Sequence, residues 1–179
     1  MRIFLSKKEK KGKGFTLIEL LIYVSVLVLI ILAAGSLFLS ASRSSRKAKA
    51  ARETIDNTRR AIEVMTHEIR EAKSIYTPTS VLSSSDGQLS LETTKYCPGG
   101  EITTYIDFYL CEQRLCLKKE SQNPVALTSD RVEIENLEFY QVATSSIQIS
   151  LKVNYKSLST RPEDQFSINA TSTVSLRTY

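Results

Sequence analysis

The sequence of 179 residues lacks most of the residues on which enzyme active sites depend. It has no tryptophan and one histidine, His67, which we interpret as an ordinary surface residue of a helix. Its six glycines form no phosphate-binding loop, and neither a nucleophile elbow nor a metal-binding H-E-x-x-H helix occurs. We therefore expect no enzymatic activity, no catalytic residue, no cofactor and no small-molecule substrate.

Cysteine is scarce, and its three positions lie in the C-terminal half: Cys97, Cys111 and Cys116. Cys111 and Cys116 bracket four residues, a spacing that could cross-link the two arms of a hairpin, and Cys97 could pair with either of them. One thiol must remain unpaired within a monomer. A three-cysteine zinc site would need His67, which is remote in sequence, as its fourth ligand, so we expect no metal.

Charge is missing altogether between Leu20 and Ser42. The apolar run from Leu20 to Leu39 is long enough to span a bilayer. The leader before it, Met1 to Gly14, carries an excess of basic residues equal to the net charge of +5 of the whole chain. The remaining chain is formally neutral, which makes nucleic acid an unlikely partner.

One carboxylate, Glu19, lies at the front of this apolar run. A lone charge costs roughly 2.5 to 3.5 kcal/mol to insert at the centre of a membrane helix, so Glu19 needs a partner. If the chain is cut between Gly14 and Phe15, the new ammonium group of Phe15 lies one helical turn from Glu19, since residues i and i+4 share a helix face. Gly14, which has no side chain, suits an extended substrate backbone in a narrow peptidase cleft.

The order Lys-Gly-Lys-Gly, then Phe-Thr-Leu-Ile-Glu, then a long apolar stretch resembles the prepilin segment of type IV pilins and type II secretion pseudopilins. The resemblance covers residues 13–39. It implies that a prepilin peptidase cuts after Gly14 and methylates the nitrogen of Phe15, and that Glu19 sets subunit register during assembly. The implied partners are other pilin or pseudopilin subunits, an inner-membrane assembly platform and the lipid bilayer.

The same resemblance implies a single-pass protein of the cytoplasmic membrane, with a cytoplasmic N-terminus and an extracytoplasmic head, that later enters a pilus or pseudopilus. The layout of the C-terminal half is similar to J-type minor pseudopilins and W-type minor pilins. The machine served, whether secretion, adhesion, motility or DNA uptake, stays open.

Two other interpretations remain. A secretory signal peptide also has a basic region before an apolar one, and Ser40-Ala41-Ser42 offers small residues for its cleavage, but the usual apolar region has about 7 to 15 residues. The second alternative is a single-span membrane anchor carrying an extracytoplasmic binding module. Basic residues also crowd the far end of the span, where they could contact anionic lipid heads or acidic neighbours, or form a solvated helix surface: Arg43, Arg46, Lys47, Lys49 and Arg52.

Helical periodicity continues beyond the span. Positions alternating by three and four from Ala48 to Tyr76 form one stripe, and no glycine or proline interrupts residues 36–77. The stripe consists of Ala48, Ala51, Ile55, Thr58, Ile62, Met65, Ile69, Ala72 and Tyr76. We predict one helix from Phe15 to Tyr76, closed by Pro78.

After Pro78 the periodicity becomes alternating, which is typical of strands. The predicted strands are residues 89–92, 102–110, 115–118, 132–142, 147–155 and 166–176. One apolar and one polar face indicate an antiparallel sheet covered on one side by the helix. The predicted fold class is α+β, with a leader (1–14), an apolar half-helix (15–42), an amphipathic half-helix (43–77) and a β-rich head (78–179).

Overall fold

The computed structural model describes residues 14–95, 97, 99–157 and 161–177. Apart from Gly14, the predicted leader lies outside these residues. The chain divides into two compact units, Met1–Ser42 and Arg43–Tyr179. Helix α1 is Leu17–Glu71. The strands of the described residues are β1 (Ser74–Ile75), β2 (Leu89–Thr93), β3 (Thr104–Cys111), β4 (Arg114–Lys119), β5 (Val125–Ala126), β6 (Val132–Ala143), β7 (Ser146–Tyr155) and β8 (Ser167–Ser175), with a 3₁₀ turn at Pro162–Asp164.

Two antiparallel sheets, rather than the single predicted sheet, form the β structure of the described residues. The first has the strand order β1-β2-β3-β4-β5 and the second the order β6-β7-β8. The α+β class, a long N-terminal helix with antiparallel sheets packed on its C-terminal part, is confirmed. The number of sheets could not be read from alternation, because alternation gives the faces of a strand and not its neighbours.

The six predicted strands are all present, with ends that differ by up to two residues. Strands β1 and β5 were not predicted, since two residues are too few to show alternation. The sheets and α1 share one buried core. Its largest fully buried side chains are Met65, Ile69, Leu89, Leu91, Ile106, Phe108, Leu115, Leu137, Phe139, Ile147, Ile149 and Leu151.

Helix α1 ends at Glu71, five residues before the predicted end. Ser74 and Ile75 pair instead with Glu92 and Leu91 of β2. The amide of Lys73 donates a hydrogen bond of 2.8 Å to the carbonyl of Glu92. These bonds to β2 replace the helical ones, so tertiary pairing overrides a helical pattern that the sequence continues to Tyr76.

The buried face of α1 also differs from the predicted stripe. Thr58, Met65 and Ile69 are buried as expected, but Ile55 is 43 % exposed, and the face runs through Ala50 and Thr54 in its place. The hydroxyls of Thr54 and Thr58 donate to the carbonyls four residues earlier, at 2.9 and 2.7 Å. Because these bonds satisfy the hydroxyls, threonine can be buried where an apolar pattern would not place it.

A tight hairpin joins β3 to β4. Its two turn residues, Glu112 and Gln113, have φ values of 50° and 62°, as a two-residue turn between twisted strands requires. The carbonyl of Gln113 accepts a 2.8 Å hydrogen bond from the amide of Ile134 in β6. The hairpin tip therefore connects the first sheet to the second.

Candidate processing and assembly segment

The start of α1 is set by Thr16, the residue before the first helical position. The amide of Glu19 donates a hydrogen bond of 3.4 Å to Oγ1 of Thr16. Thr16 thus occupies the N-cap and Glu19 the third helical position, the spacing of a capping box, of which the bond from the Glu19 amide is present. This cap was not predicted, although the Thr-x-x-Glu spacing was the signal for it. A carboxylate in the first turn also interacts favourably with the helix dipole.

Glu19 has a second partner in Tyr23, one turn further along. The Tyr23 hydroxyl donates to Oε1 of Glu19 at 3.4 Å. The ring of Tyr23 also meets the ring of Phe15 edge to face, with centroids 6.0 Å apart and planes at 61°. The structure therefore brings Phe15, Glu19 and Tyr23 together on one side of the helix start, as the i and i+4 spacing of Phe15 and Glu19 predicts.

Gly14 lies outside the helix and is exposed. A Cβ atom placed on Gly14 would have nothing within 4 Å. The peptide bond between Gly14 and Phe15 is consequently open to an enzyme, and no packing inside the described protein requires glycine at this position.

The apolar run is uncovered in this structure. The large side chains from Phe15 to Leu39 are exposed, Phe15 by 72 % and Phe38 by 74 %. By length and composition, α1 contains a segment apolar enough to cross a membrane. Large contiguous apolar surfaces of this kind are typical of membrane or protein interaction sites.

The predicted cysteine candidates have separate environments. Cys111 and Cys116 form a disulfide, with Cα atoms 5.9 Å apart, across the β3–β4 hairpin. The thiol of Cys97 is free and contacts the carbonyl of Thr94 at 3.3 Å. Among the described residues, no group of three or more histidine, cysteine, aspartate and glutamate side chains could hold a metal ion.

Comparison with known proteins identifies the class of the N-terminal segment. The family profile described as the prokaryotic N-terminal methylation motif matches residues 10–35. The match includes Gly14, Phe15 and Glu19 and confirms the prepilin-type segment recognised in the sequence. The chain therefore combines a prepilin-type methylation motif with a long N-terminal helix and antiparallel sheets packed on the C-terminal part of that helix.

The fold is also similar to a type IV-like pilin from Thermus thermophilus. The two chains share 11 % sequence identity with a TM-score of 0.45, over 68 % of this chain and 95 % of that one. No curated protein sequence matches the chain.

Proposed function

We propose that the chain is a structural subunit, of the minor type, of a type IV pilus or a type II secretion pseudopilus. The observation that carries the proposal is the coincidence of three features within residues 10–35. These are the methylation motif, the capped start of α1 at Leu17, and a carboxylate at the front of an exposed, charge-free run. A plain membrane anchor requires none of these to coincide.

The first step of the proposed function is removal of the leader, residues 1–14. Hydrolysis of the bond between Gly14 and Phe15 consumes one water and leaves a carboxylate on Gly14 and an ammonium group on Phe15. Methylation of that nitrogen keeps its positive charge. The exposed bond and the space around Gly14 support access by a membrane-bound prepilin peptidase.

The second step is assembly through residues 15–42 of α1. Lipid tails are as apolar as leucine, so the transfer of this run from lipid to a bundle of identical helices gains little from hydrophobic burial alone. A charge pair formed in that apolar surrounding gains much more from its contact. We propose that the carboxylate of Glu19 accepts a hydrogen bond from the Phe15 ammonium group of an adjacent subunit. The hydroxyl of Tyr23 orients the Glu19 carboxylate for this contact.

The remaining parts then have defined places. The part of α1 from Ala50 to Glu71 covers the sheets, and residues 78–179 form most of the extracytoplasmic head of a protein held in the cytoplasmic membrane before assembly. Other subunits and an inner-membrane assembly platform are the proposed partners.

The processing step is tested by the substitution Gly14→Val. Since a side chain here meets no other atom of the described protein, the fold should be unaffected, and full-length precursor should accumulate in the membrane. Gly35→Val is the matched control, because Gly35 also has nothing within 4 Å of an added Cβ. Immunoblotting of membrane fractions distinguishes precursor from mature chain, and normal processing of Gly14→Val would contradict the proposal.

The assembly step is tested by Glu19→Gln. This variant should be cut normally but should be absent from sheared filaments or cross-linked assemblies. Glu63→Gln on the same helix is the matched control, since Glu63 is an exposed acid that pairs only with Arg59 among the described residues. A membrane-anchored binding module would tolerate both the Gly14 and the Glu19 changes, and an exported protein with a conventional signal peptide would begin near Arg43.

A further inference from the structure

Five cations follow the apolar run of α1 within ten residues. We call residues 43–52, which contain Arg43, Arg46, Lys47, Lys49 and Arg52, the basic segment. All five side chains are exposed, and no acidic residue occurs between Ser42 and Glu53. The segment is therefore a strongly positive length of helix.

The basic segment has no acidic partner within the part of the chain that the structure describes. From residue 53 onwards the cations and acids are largely matched: Glu53 faces Arg131 at 3.7 Å, and Glu68 faces Lys119 at 3.3 Å. Among the described residues, the five cations of the basic segment take part in no ion pair and no side-chain hydrogen bond. These five cations are therefore available to bind an anionic partner outside the described residues.

The position of the segment indicates what that partner is. The polar layer on each side of a bilayer is about 5 to 7 Å thick, which corresponds to about four helical residues. Arg43 is the fourth residue after Leu39, the last long apolar residue of the run. Arg46 and Lys47 follow on the same side of the helix, because at about 100° per residue all three positions fall within an arc of about 100°. Long basic side chains can also reach back towards such a layer.

The side of the membrane on which these cations lie also favours an anionic partner. In the proposed topology they lie on the translocated side, where lysine and arginine work against the orientation set by the leader. The basic segment carries five cations on that side without acids to balance them. Contact with a negatively charged surface would therefore stabilise the inserted chain. Arginine is well suited to this contact because its guanidinium group binds phosphate oxygens in pairs.

We propose that the basic segment binds the phosphate groups of anionic phospholipids, with Arg43, Arg46 and Lys47 as the principal contacts. The inference rests on the membrane insertion in the proposed function and extends it. It gives the unassembled subunit a preference for anionic lipid at the membrane face where the basic segment lies.

The test uses the full chain in nanodiscs made from phosphatidylcholine and phosphatidylglycerol. Spin-labelled versions of the two lipids report their relative association with the protein by electron paramagnetic resonance. Each cation close to an anionic surface contributes about a fivefold preference, so the wild type should favour phosphatidylglycerol clearly. The triple variant Arg43→Gln/Arg46→Gln/Lys47→Gln should show a clearly weaker preference. The cations of the leader, Lys49 and Arg52 are present in both chains, so the difference between the two chains measures the three substituted residues. Raising the salt concentration should weaken the preference of the wild type.

The matched control is Arg59→Gln/Arg60→Gln/Arg70→Gln, which removes three exposed cations of the same helix beyond the basic segment. This control should keep the wild-type preference. Inorganic phosphate added at the same ionic strength as chloride should not displace the lipid more than chloride does; specific displacement would mean a site for free phosphate and would overturn the proposal.

Equal lipid preference in the wild type and the triple variant would overturn the proposal. If that result came with loss of the triple variant from filaments, the partner would be an acidic face of a neighbouring subunit. Failure of cleavage at Gly14 would contradict the proposed processing without changing the lipid measurement. A chain that does not enter the nanodisc would contradict both proposals.

Discussion

Glu92 shows how single acids hold the C-terminal unit together. Its carboxylate accepts a hydrogen bond of 2.8 Å from Nζ of Lys73 and one of 2.7 Å from Oγ of Ser74. These contacts connect the end of α1 and strand β1 to β2, where the helix was predicted to continue. The bonds from Lys73 and Ser74 hold the pKa of Glu92 below its ordinary value.

This lowered pKa predicts a pH dependence of stability. The folded state binds a proton on Glu92 less readily than the unfolded state, so the stabilisation is complete above the ordinary glutamate value of about 4.3. It is lost as the pH falls below that value through the folded pKa. The melting temperature, followed by circular dichroism, should fall less for Glu92→Gln than for the wild type as the pH is lowered from neutral to below about 4.3. Glu101→Gln, at an exposed loop position, should keep the wild-type profile.

Gly87 is a second residue with a specific structural task. It is buried where residues 81–88 meet β6, and its amide donates a 2.8 Å hydrogen bond to the carbonyl of Leu137. An added Cβ would lie 2.8 Å from that carbonyl oxygen and 3.0 Å from Cδ2 of Phe139.

We therefore predict that Gly87→Ala lowers the free energy of unfolding by about 1 to 3 kcal/mol, the usual cost of overpacking. Gly99→Ala is the control, since its Cβ would have nothing within 4 Å. Urea denaturation measures both variants, and equal stability of the two would contradict the close approach at Gly87.

Helix α1 combines two surfaces of different kinds. Up to Ser42 its apolar side chains are exposed, and from Ala50 onwards one face is buried against the sheets. The sequence predicted the helix, its long apolar run and the change in character beyond it, because these depend on composition and on the absence of helix breakers. The shift of the buried face from Ile55 to Thr54 was not predictable, since burial of Thr54 depends on a hydroxyl bond to the helix backbone.

A pair of helix substitutions tests the corrected face. Met65→Ala should cost about 2 to 5 kcal/mol, because Met65 is fully buried and its removal leaves a cavity. Ile55→Ala should change the stability by no more than about 0.5 kcal/mol, because Ile55 belongs to the predicted stripe but is largely exposed. Chemical denaturation measures the free energy of unfolding of both variants. Equal losses at the two positions would show that Ile55 is buried, as the predicted stripe requires.

The β3–β4 hairpin was partly predictable. The spacing of Cys111 and Cys116 indicated a cross-link between hairpin arms, but it could not exclude Cys97 as a partner. The structure also shows what the disulfide-closed turn contacts: the carbonyl of Gln113 accepts a hydrogen bond from the amide of Ile134 in the second sheet.

Replacing both cysteines of this disulfide by serine should lower the free energy of unfolding by about 2 kcal/mol, as expected for a short closed loop. Cys97→Ser should have little effect, because the Cys97 thiol is free. Denaturation with and without a reducing agent makes the measurement. A wild type that is insensitive to reduction would contradict the role of the disulfide.

At the scale of the whole molecule, features set by composition were predictable and features set by long-range pairing were not. The composition predicted a membrane span and a β-rich head, and the residues around Glu19 indicated the prepilin-type segment that the family profile matches. What the sequence could not supply was pairing that depends on distant contacts: two sheets instead of one, the early end of α1 at β1, and the hairpin tip on β6.

The most direct test is the intact mass of the chain purified from membranes of a cell that has a prepilin peptidase, with sequencing of its first residues. We predict a chain that begins at Phe15 and is heavier than the unmodified product by one CH2 unit, the net gain when a methyl group replaces a hydrogen on nitrogen. A functional chain that still begins at Met1, or one that begins near Arg43, would contradict the pairing of a new ammonium group with Glu19 on which the proposed assembly depends.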